Sequence, residues 1–291
     1  MTRPMILAGL TATALLLAVV SLSVGHVFVP LHSWFDPADP RRAILLQLRA
    51  PRTLLGILVG AALGMSGAAM QGYTRNPLAD PGVLGVSSMA ALGAVMTLYF
   101  GQAAQAPWVL PLAAMIGAIG GVALLLGLSG GGSSIVTFVL AGVVLNTVAG
   151  SGVALALNLA PNPWAVDEIV NWLMGSLTDR TAGDVRMAGP LILAGCSLLL
   201  FTRRALDALT LGETGARSLG VDLGLTRILL ALGIGLATGA SVAACGVVGF
   251  IGLVAPHLLR PVVGARPGGL LAPSALAGVV LTWPRTFWCA S

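Results

Sequence analysis

Lysine is absent from this chain of 291 residues, and its 15 basic side chains are all arginine. No phosphate-binding G-x-x-x-x-G-K-[ST] loop can exist without lysine, so any nucleotide-driven work must come from another chain. Charge of both signs is scarce, at 9% of residues against roughly 25% in a soluble domain. The ten carboxylates stand at 36, 39, 80, 167, 168, 179, 184, 207, 213 and 222, none of them in the middle of an apolar run. Ionisable groups inside a span mark proton and ion relays, and their lack opposes a carrier that couples to protons by itself. His26, His32 and His257 lie at span ends or in loops, leaving no acid–base pair, no Ser/His/Asp set and no zinc motif. Catalytic residues are therefore none. Cys196, Cys245 and Cys289 are far apart and without a CxxC pattern, so they read as packing residues and metal ligation as none. Aromatics make up only 5%, and no basic patch is interleaved with them, which excludes nucleic acid as a partner.

Apolar length and glycine are abundant. The chain is 57% hydrophobic, with mean hydropathy +0.96, and its 39 glycines suit closely packed transmembrane helices. Windows of about 20 apolar residues fall near 5–29, 53–73, 82–100, 108–128, 135–159, 187–202, 226–245, 247–264 and 269–283. The fold class is thus all-α, a polytopic membrane protein with about nine transmembrane helices. The first run exceeds the ~7–15 residues of a signal-peptide core and no A-x-A site follows, so it reads as a span. The eighth is short and interrupted by Pro256 and Pro261. With the N-terminus inside, Arg3, Arg75, Arg203, Arg204, Arg217, Arg227, Arg260 and Arg266 fall in inner loops, against six arginines outside. The positive-inside margin is thin, and the outer arginines need a reason of their own.

Three local patterns stand out. Gly56, Gly60 and Gly64 share one helix face and invite a neighbouring backbone to approach. In R-N-P-L-A-D-P-G, Asn76-Pro77 ends a helix, while Asp80 caps the next and Pro81 occupies its first position. The longest charged interruption of the second half is Arg203 to Arg227, with four arginines, two aspartates and a glutamate. Gly212, Gly215 and Gly220 divide it, and Asp207, Glu213 and Asp222 sit where helix starts welcome negative charge. It predicts two short helices on a membrane surface, a face on which a cytoplasmic partner pushes. The segment P-N-P-W-A-V-D-E-I-V-N-W-L-M predicts a short amphipathic helix with Trp164 and Trp172 at an interface.

Several stretches together resemble the FecCD family, the membrane subunits of ABC importers for ferric siderophores, haem and cobalamin. They are Q-L-R-A-P-R-T-L (47–54), V-G-A-A-L-G-M-S-G-A-A-M-Q (59–71), R-N-P-L-A-D-P-G-V-L-G-V-S (75–87), L-G-E-T-G-A-R-S-L-G-V (211–221) and G-F-I-G-L-V-A-P-H-L-L-R (249–260). The resemblance implies the ten-helix type II importer permease fold in the inner (plasma) membrane. It also implies a homodimer or paired permease, two cytoplasmic ATPase subunits, and a periplasmic or lipid-anchored substrate-binding protein. No cofactor is expected on this chain, since ATP and Mg belong to the ATPase. Leu211, Gly212, Glu213, Ala216, Arg217, Leu219 and Gly220 match the ATPase-coupling segment, with Glu213, Arg217 and Leu219 as expected contacts. Arg49 and Arg52 match the outer arginines that pair with the binding protein, with lipid-headgroup anchoring as the other reading. Asn76 and Leu78, with Ser134 and Ile135, match the cytoplasmic gate. Asn146 and Thr147 fall on the pore-lining fifth span, where helix-to-helix hydrogen bonding is the competing reading. A secondary carrier acting alone and a truncated, inactive permease are the alternatives.

The resemblance stops at the end of the chain. The family match runs through P-S-A-L-A-G-V-V-L-T, and W-P-R-T-F-W-C-A-S follows. With GC-rich codons, a one-base shift turns this tail into L-A-A-D-V-L-V-R-V, which contains the family's A-D-x-x-x-R element. Residues 1–283 are accordingly expected to form a single permease domain, and 284–291 an aberrant, frameshifted tail with the last helix missing. A product so truncated is expected to transport poorly.

Overall fold

Inside a bilayer every backbone N–H and C=O must find an internal partner, which restricts a spanning chain to helices or closed barrels. This chain uses helices, and no strand occurs among the described residues. The computed structural model describes residues 3–25, 27–104, 106–130 and 134–288, without the side chains of residues 3 and 284–288. Helix α1 is Arg3–Ser23, followed by an irregular outer segment with a 3-10 turn at Leu31–Trp34. A short α2, Arg41–Ile44, passes through a π turn at Leu45–Arg49 into α3, Ala50–Thr74. Then come α4 Val86–Tyr99, α5 Val109–Ser129, α6 Ile135–Asn158, α7 Pro163–Leu173 and α8 Ala182–Phe201. The charged interruption forms α9 Arg203–Ala208 and α10 Gly212–Ser218, and α11 Leu223–Cys245, α12 Ile251–Val263 and α13 Pro267–Trp288 complete the order.

Each of the nine apolar windows coincides with a helix. Six helical stretches are long and apolar enough to cross a membrane, namely α1, the continuous Arg41–Thr74, α5, α6, α8 and α11. Helices α4 and α12, with Pro267–Trp283 of α13, are apolar but shorter. Boundaries moved where capping chemistry dictates. The sixth window starts earlier, at Ala182, because the Asp184 carboxylate accepts from the Thr181 amide at 2.7 Å in a capping box. Pro256 and Pro261 do not break α12, since both lie inside it. Pro256 deprives the Gly252 carbonyl of its helical donor. A Cβ on Gly67 would land on that same carbonyl, so α3 presses against α12 there. The aberrant-tail expectation concerns 284–291. The α13 backbone runs to Trp288, and residues 289–291 lie outside the described residues.

Helices α3 and α11 form the centre, while α1, α6 and α8 keep most of their surface open to lipid or to another subunit. Apolar helices gain little from association in lipid, so close backbone packing must supply the attraction. The glycine stripe of α3 provides it. A Cβ on Gly64 would fall on the Ser274 carbonyl, and one on Gly278 of α13 would fall on the Gly60 carbonyl. Thr282 Oγ1 lies within 3.2 Å of the Gly56 carbonyl across the contact, while its nearest acceptor is Val279 O in its own helix at 2.6 Å.

This contact yields a stability prediction. Gly64→Ala should force α3 and α13 apart and destabilise the solubilised protein by ~1–3 kcal/mol, the usual range for overpacking. Gly120→Ala on α5, where nothing lies within 4 Å of the added carbon, should leave the unfolding midpoint unchanged or slightly raised. Equal midpoints for the two variants would refute the backbone contact.

Candidate functional site

The charged interruption folds as a knuckle on one end of the helix bundle. Leu206, Leu209 and Ala216 are fully buried and root it in the main core. Leu211 and Leu219 stay 67% and 64% exposed, so the knuckle offers an apolar, unpartnered outer face flanked by Arg217. Gly212 and Gly220 adopt φ +85° and +78°, which shape the bends before and after α10. Gly215 lies inside α10 and does not divide it. Asp222 caps α11, its Oδ1 accepting from Leu225 N at 3.0 Å. Asp207 does not start its own helix. Its Oδ1 accepts from Gly268 N at 2.8 Å and its Oδ2 from Arg266 Nε at 2.8 Å, so it caps α13 from across the chain. Sequence spacing gave no sign of that long-range cap.

Of the residues expected to couple and to gate, Glu213 and Ile135 are brought into contact. Asn76 and Leu78 are exposed in the turn after α3, which ends at Arg75 with φ +52°, and Leu78 N donates to Asn76 Oδ1 at 2.9 Å. Asp80 caps the following 3-10 turn through Gly82 N at 2.8 Å, and burial raises its carboxyl above the usual range while that amide opposes the rise. Ser134 is the N-cap of α6, and Ile135 is its first residue. The Ile135 amide donates to Glu213 Oε1 at 3.0 Å. Glu213 thus turns its carboxylate toward the start of α6, whereas Arg217, 3.9 Å from the other oxygen, remains mostly exposed. On the inner side of the same corner, buried Arg227 donates to the Gly130 carbonyl at 2.9 Å and toward the Tyr73 hydroxyl at 3.4 Å. Gln71, also buried, donates to Leu253 O and accepts from Arg260 Nη2 at 2.9 Å, joining α3 to α12. Neither polar link was foreseeable without the tertiary approach of its helices.

The outer arginines require a correction. Arg49 is only 6% exposed and donates to Leu22 O at 3.0 Å and to Val27 O, pinning the end of α1 and the segment after it. In this structure its guanidinium is turned inward as an anchor, not outward as the docking expectation had it. Arg52, half-buried, is the nearer candidate. The physical reason is the π turn at Leu45–Arg49, which adds a residue to the winding just before Pro51 and rotates Arg49 inward. Next to it Asp39 grips Arg41 with oxygens 2.8 to 3.1 Å from the guanidinium nitrogens. That arginine, with Ser33, holds the Asp39 carboxyl well below the usual carboxylate range.

On α6, Asn146 accepts from the Ser88 hydroxyl of α4, and Thr147 Oγ1 donates to Val143 O at 2.9 Å. Both residues are nonetheless exposed, Thr147 on a face with Val136, Leu140 and Val144, and Asn146 at the edge that borders α4. No cluster of metal-ligating side chains occurs among the described residues.

The described residues thus form a helical, glycine-packed bundle with a surface knuckle and a proline-marked turn after α3. The FecCD transport family model matches residues 12–284. A solved structure described as "An inward-facing conformation of a putative metal-chelate type ABC transporter" superposes with TM-score 0.87 at 31% identity, covering 97% of this chain and 89% of that one. The vitamin B12 import system permease protein BtuC of Pectobacterium atrosepticum is 38% identical over 94% of this chain and 81% of its own length. The hemin transport system permease protein HmuU of Yersinia pestis is 36% identical over 96% of this chain and 85% of its own. YvrB of Bacillus subtilis, an uncharacterized ABC transporter permease, is 38% identical over 89% of this chain and 78% of its own. The chain belongs to the FecCD transport family.

The burial of Arg49 generates a prediction. Arg49→Ala leaves the Leu22 and Val27 carbonyls without their charged donor and should lower stability by ~1.5–3 kcal/mol. Proteolysis should then cut first between α1 and α2. An unchanged unfolding midpoint and cleavage pattern would show that the guanidinium is not anchoring α1.

Proposed function

We propose that this permease is the membrane-spanning subunit of an importer that moves an iron-siderophore, haem or cobalamin-type substrate across the inner membrane. A separate ATPase subunit on each permease copy supplies the energy, and a substrate-binding protein delivers cargo from outside. The chain itself is not an enzyme and binds no cofactor of its own; ATP and Mg act on the partner. The observation that carries this reading is the knuckle. It spends its inner side chains on the core and leaves Leu211, Leu219 and Arg217 outward, which is what a docking surface needs and a connecting loop does not.

The geometry supports a route for gating. A push on the α9–α10 surface acts within one hydrogen bond of Ile135 at the start of α6, whose exposed face lines the translocation path between paired permeases. The turn carrying Asn76 and Leu78 closes the same end. At the outer end, Arg52 meets acidic residues of the binding protein.

Reconstituted uptake tests the proposal. In proteoliposomes, labelled cobalamin, haem and a ferric siderophore are each offered with the matching binding protein and ATPase. One of the three should accumulate only when ATP and both partners are present. Accumulation driven by a proton gradient without ATPase would overturn it. Arg217→Glu should insert normally yet bind the ATPase at least severalfold more weakly, as loss of an interface charge does. Arg52→Glu should weaken binding-protein docking most at low salt, because exposed charges are screened over ~10 Å at 0.1 M.

A further inference from the structure

The first turn of any helix has amide protons with no partner inside the helix. In α6 the Thr137 amide is satisfied by Ser134 Oγ at 3.3 Å, as capping predicts. The Ile135 amide instead reaches Glu213, 78 positions away, on α10. That carboxylate also sits at the positive end of a 24-residue helix dipole, where negative charge is favoured. The approach is held from both sides. Ala216, one turn beyond Glu213, is fully buried, so α10 cannot roll away from the bundle. Across the corner, Phe138 of α6 stacks edge-on against Tyr73 with centroids 5.5 Å apart, and Arg227 bonds that tyrosine and the Gly130 carbonyl. Among the described residues no other hydrogen bond joins the surface of α10 to α6.

We propose that Glu213 is a positioning residue for gating: its carboxylate clasps the N-terminus of α6, so that α10 and the first turn of α6 move as one body when the ATPase closes. The proposal rests on the reading of α9–α10 as the ATPase-docking surface. Glu213 then acts inward, as the link between force and gate, while the exposed Leu211, Arg217 and Leu219 make the docking contacts. Charge suits the task because a bond to an ionised acceptor is roughly twice as strong as a neutral one, yet it can slide between neighbouring amides of the first turn without being lost.

The backbone at the clasp supplies a selective test. Ser134 has φ −73° and ψ 166°, the conformation that a residue before proline prefers. Proline is also well tolerated at the first helical position, where its missing N–H would otherwise go unpaired. Ile135→Pro therefore deletes the donor and keeps the helix, Ile135→Ala keeps the donor, and Glu213→Ala deletes the acceptor. Glu213→Gln retains an acceptor oxygen. Two measurements read the result. Hydrogen exchange of the permease alone should be about tenfold faster at residues 136–138 in Glu213→Ala, the loss expected for one hydrogen bond. In the full complex with its ATPase, spin labels at Leu124 and Leu140, both exposed and away from α10, report the motion of α6 relative to α5. ATP binding should change that distance in the unmodified chain, in Ile135→Ala and in Glu213→Gln. The change should be lost in Glu213→Ala and Ile135→Pro while the ATPase still co-purifies, and the double variant should be no worse than either single. A full ATP-driven distance change in Glu213→Ala, or additive losses in the double variant, would overturn the clasp. If the unmodified permease recruits no ATPase, the docking reading falls instead, and the transmission role falls with it.

Discussion

The structure depends on how closely α3 can approach its neighbours. In lipid, apolar side chains gain nothing by exchanging lipid contacts for protein contacts, so a stable bundle needs backbones in direct touch. Gly60, Gly64 and Gly67 give α3 that freedom toward α13 and α12, and no larger residue fits at Gly64 or Gly67 without displacing a carbonyl. Because α3 is fixed, its C-terminal end is fixed too. There Gln71 holds α12 through Leu253 O and Arg260, Tyr73 meets Arg227 and Phe138, and the Asn76–Leu78 turn projects from a rigid stem.

The functional corner is built on that stem from elements far apart in sequence. Helix α10 contributes Glu213, α6 begins at Ile135, α11 contributes Arg227, and α5 ends at Gly130. The parts are held by few polar bonds, two of them between a charged side chain and a backbone group. Such bonds tolerate rotation of one helix against another better than interdigitated apolar side chains do, since close-packed cores have discrete arrangements. A corner held in this way suits the proposed gate, which would be driven from outside.

Much of this was legible in the sequence. Each of the nine apolar windows found a helix among the described residues, and six of the stretches have the length that bilayer thickness imposes. Asp80-Pro81 and Asp222 marked helix starts because capping is a local matter. The family resemblance pointed to residues 211–221 as a coupling segment, and the comparisons show the family itself. What sequence could not show depended on winding and on tertiary approach. The π turn before Pro51 turned Arg49 inward, and no periodicity argument carries an extra residue per turn. Asp207 capped α13 and not its own helix, and Glu213 faced Ile135 and not outward, because each found its amide 61 or 78 positions away. Pro256 and Pro261 lay inside α12 because a neighbouring backbone covers the carbonyl that one of them frees.

The central claim is that the α9–α10 knuckle is where force enters the protein. Photo-crosslinking in native membranes addresses it directly, with a photoreactive residue placed at Leu211 or Leu219 and, for comparison, at the exposed Leu16 of α1. The account predicts adducts with a nucleotide-binding ATPase from the two knuckle positions and none from Leu16. Knuckle positions that yield only lipid adducts, or ATPase adducts from Leu16 as readily as from Leu219, would contradict it.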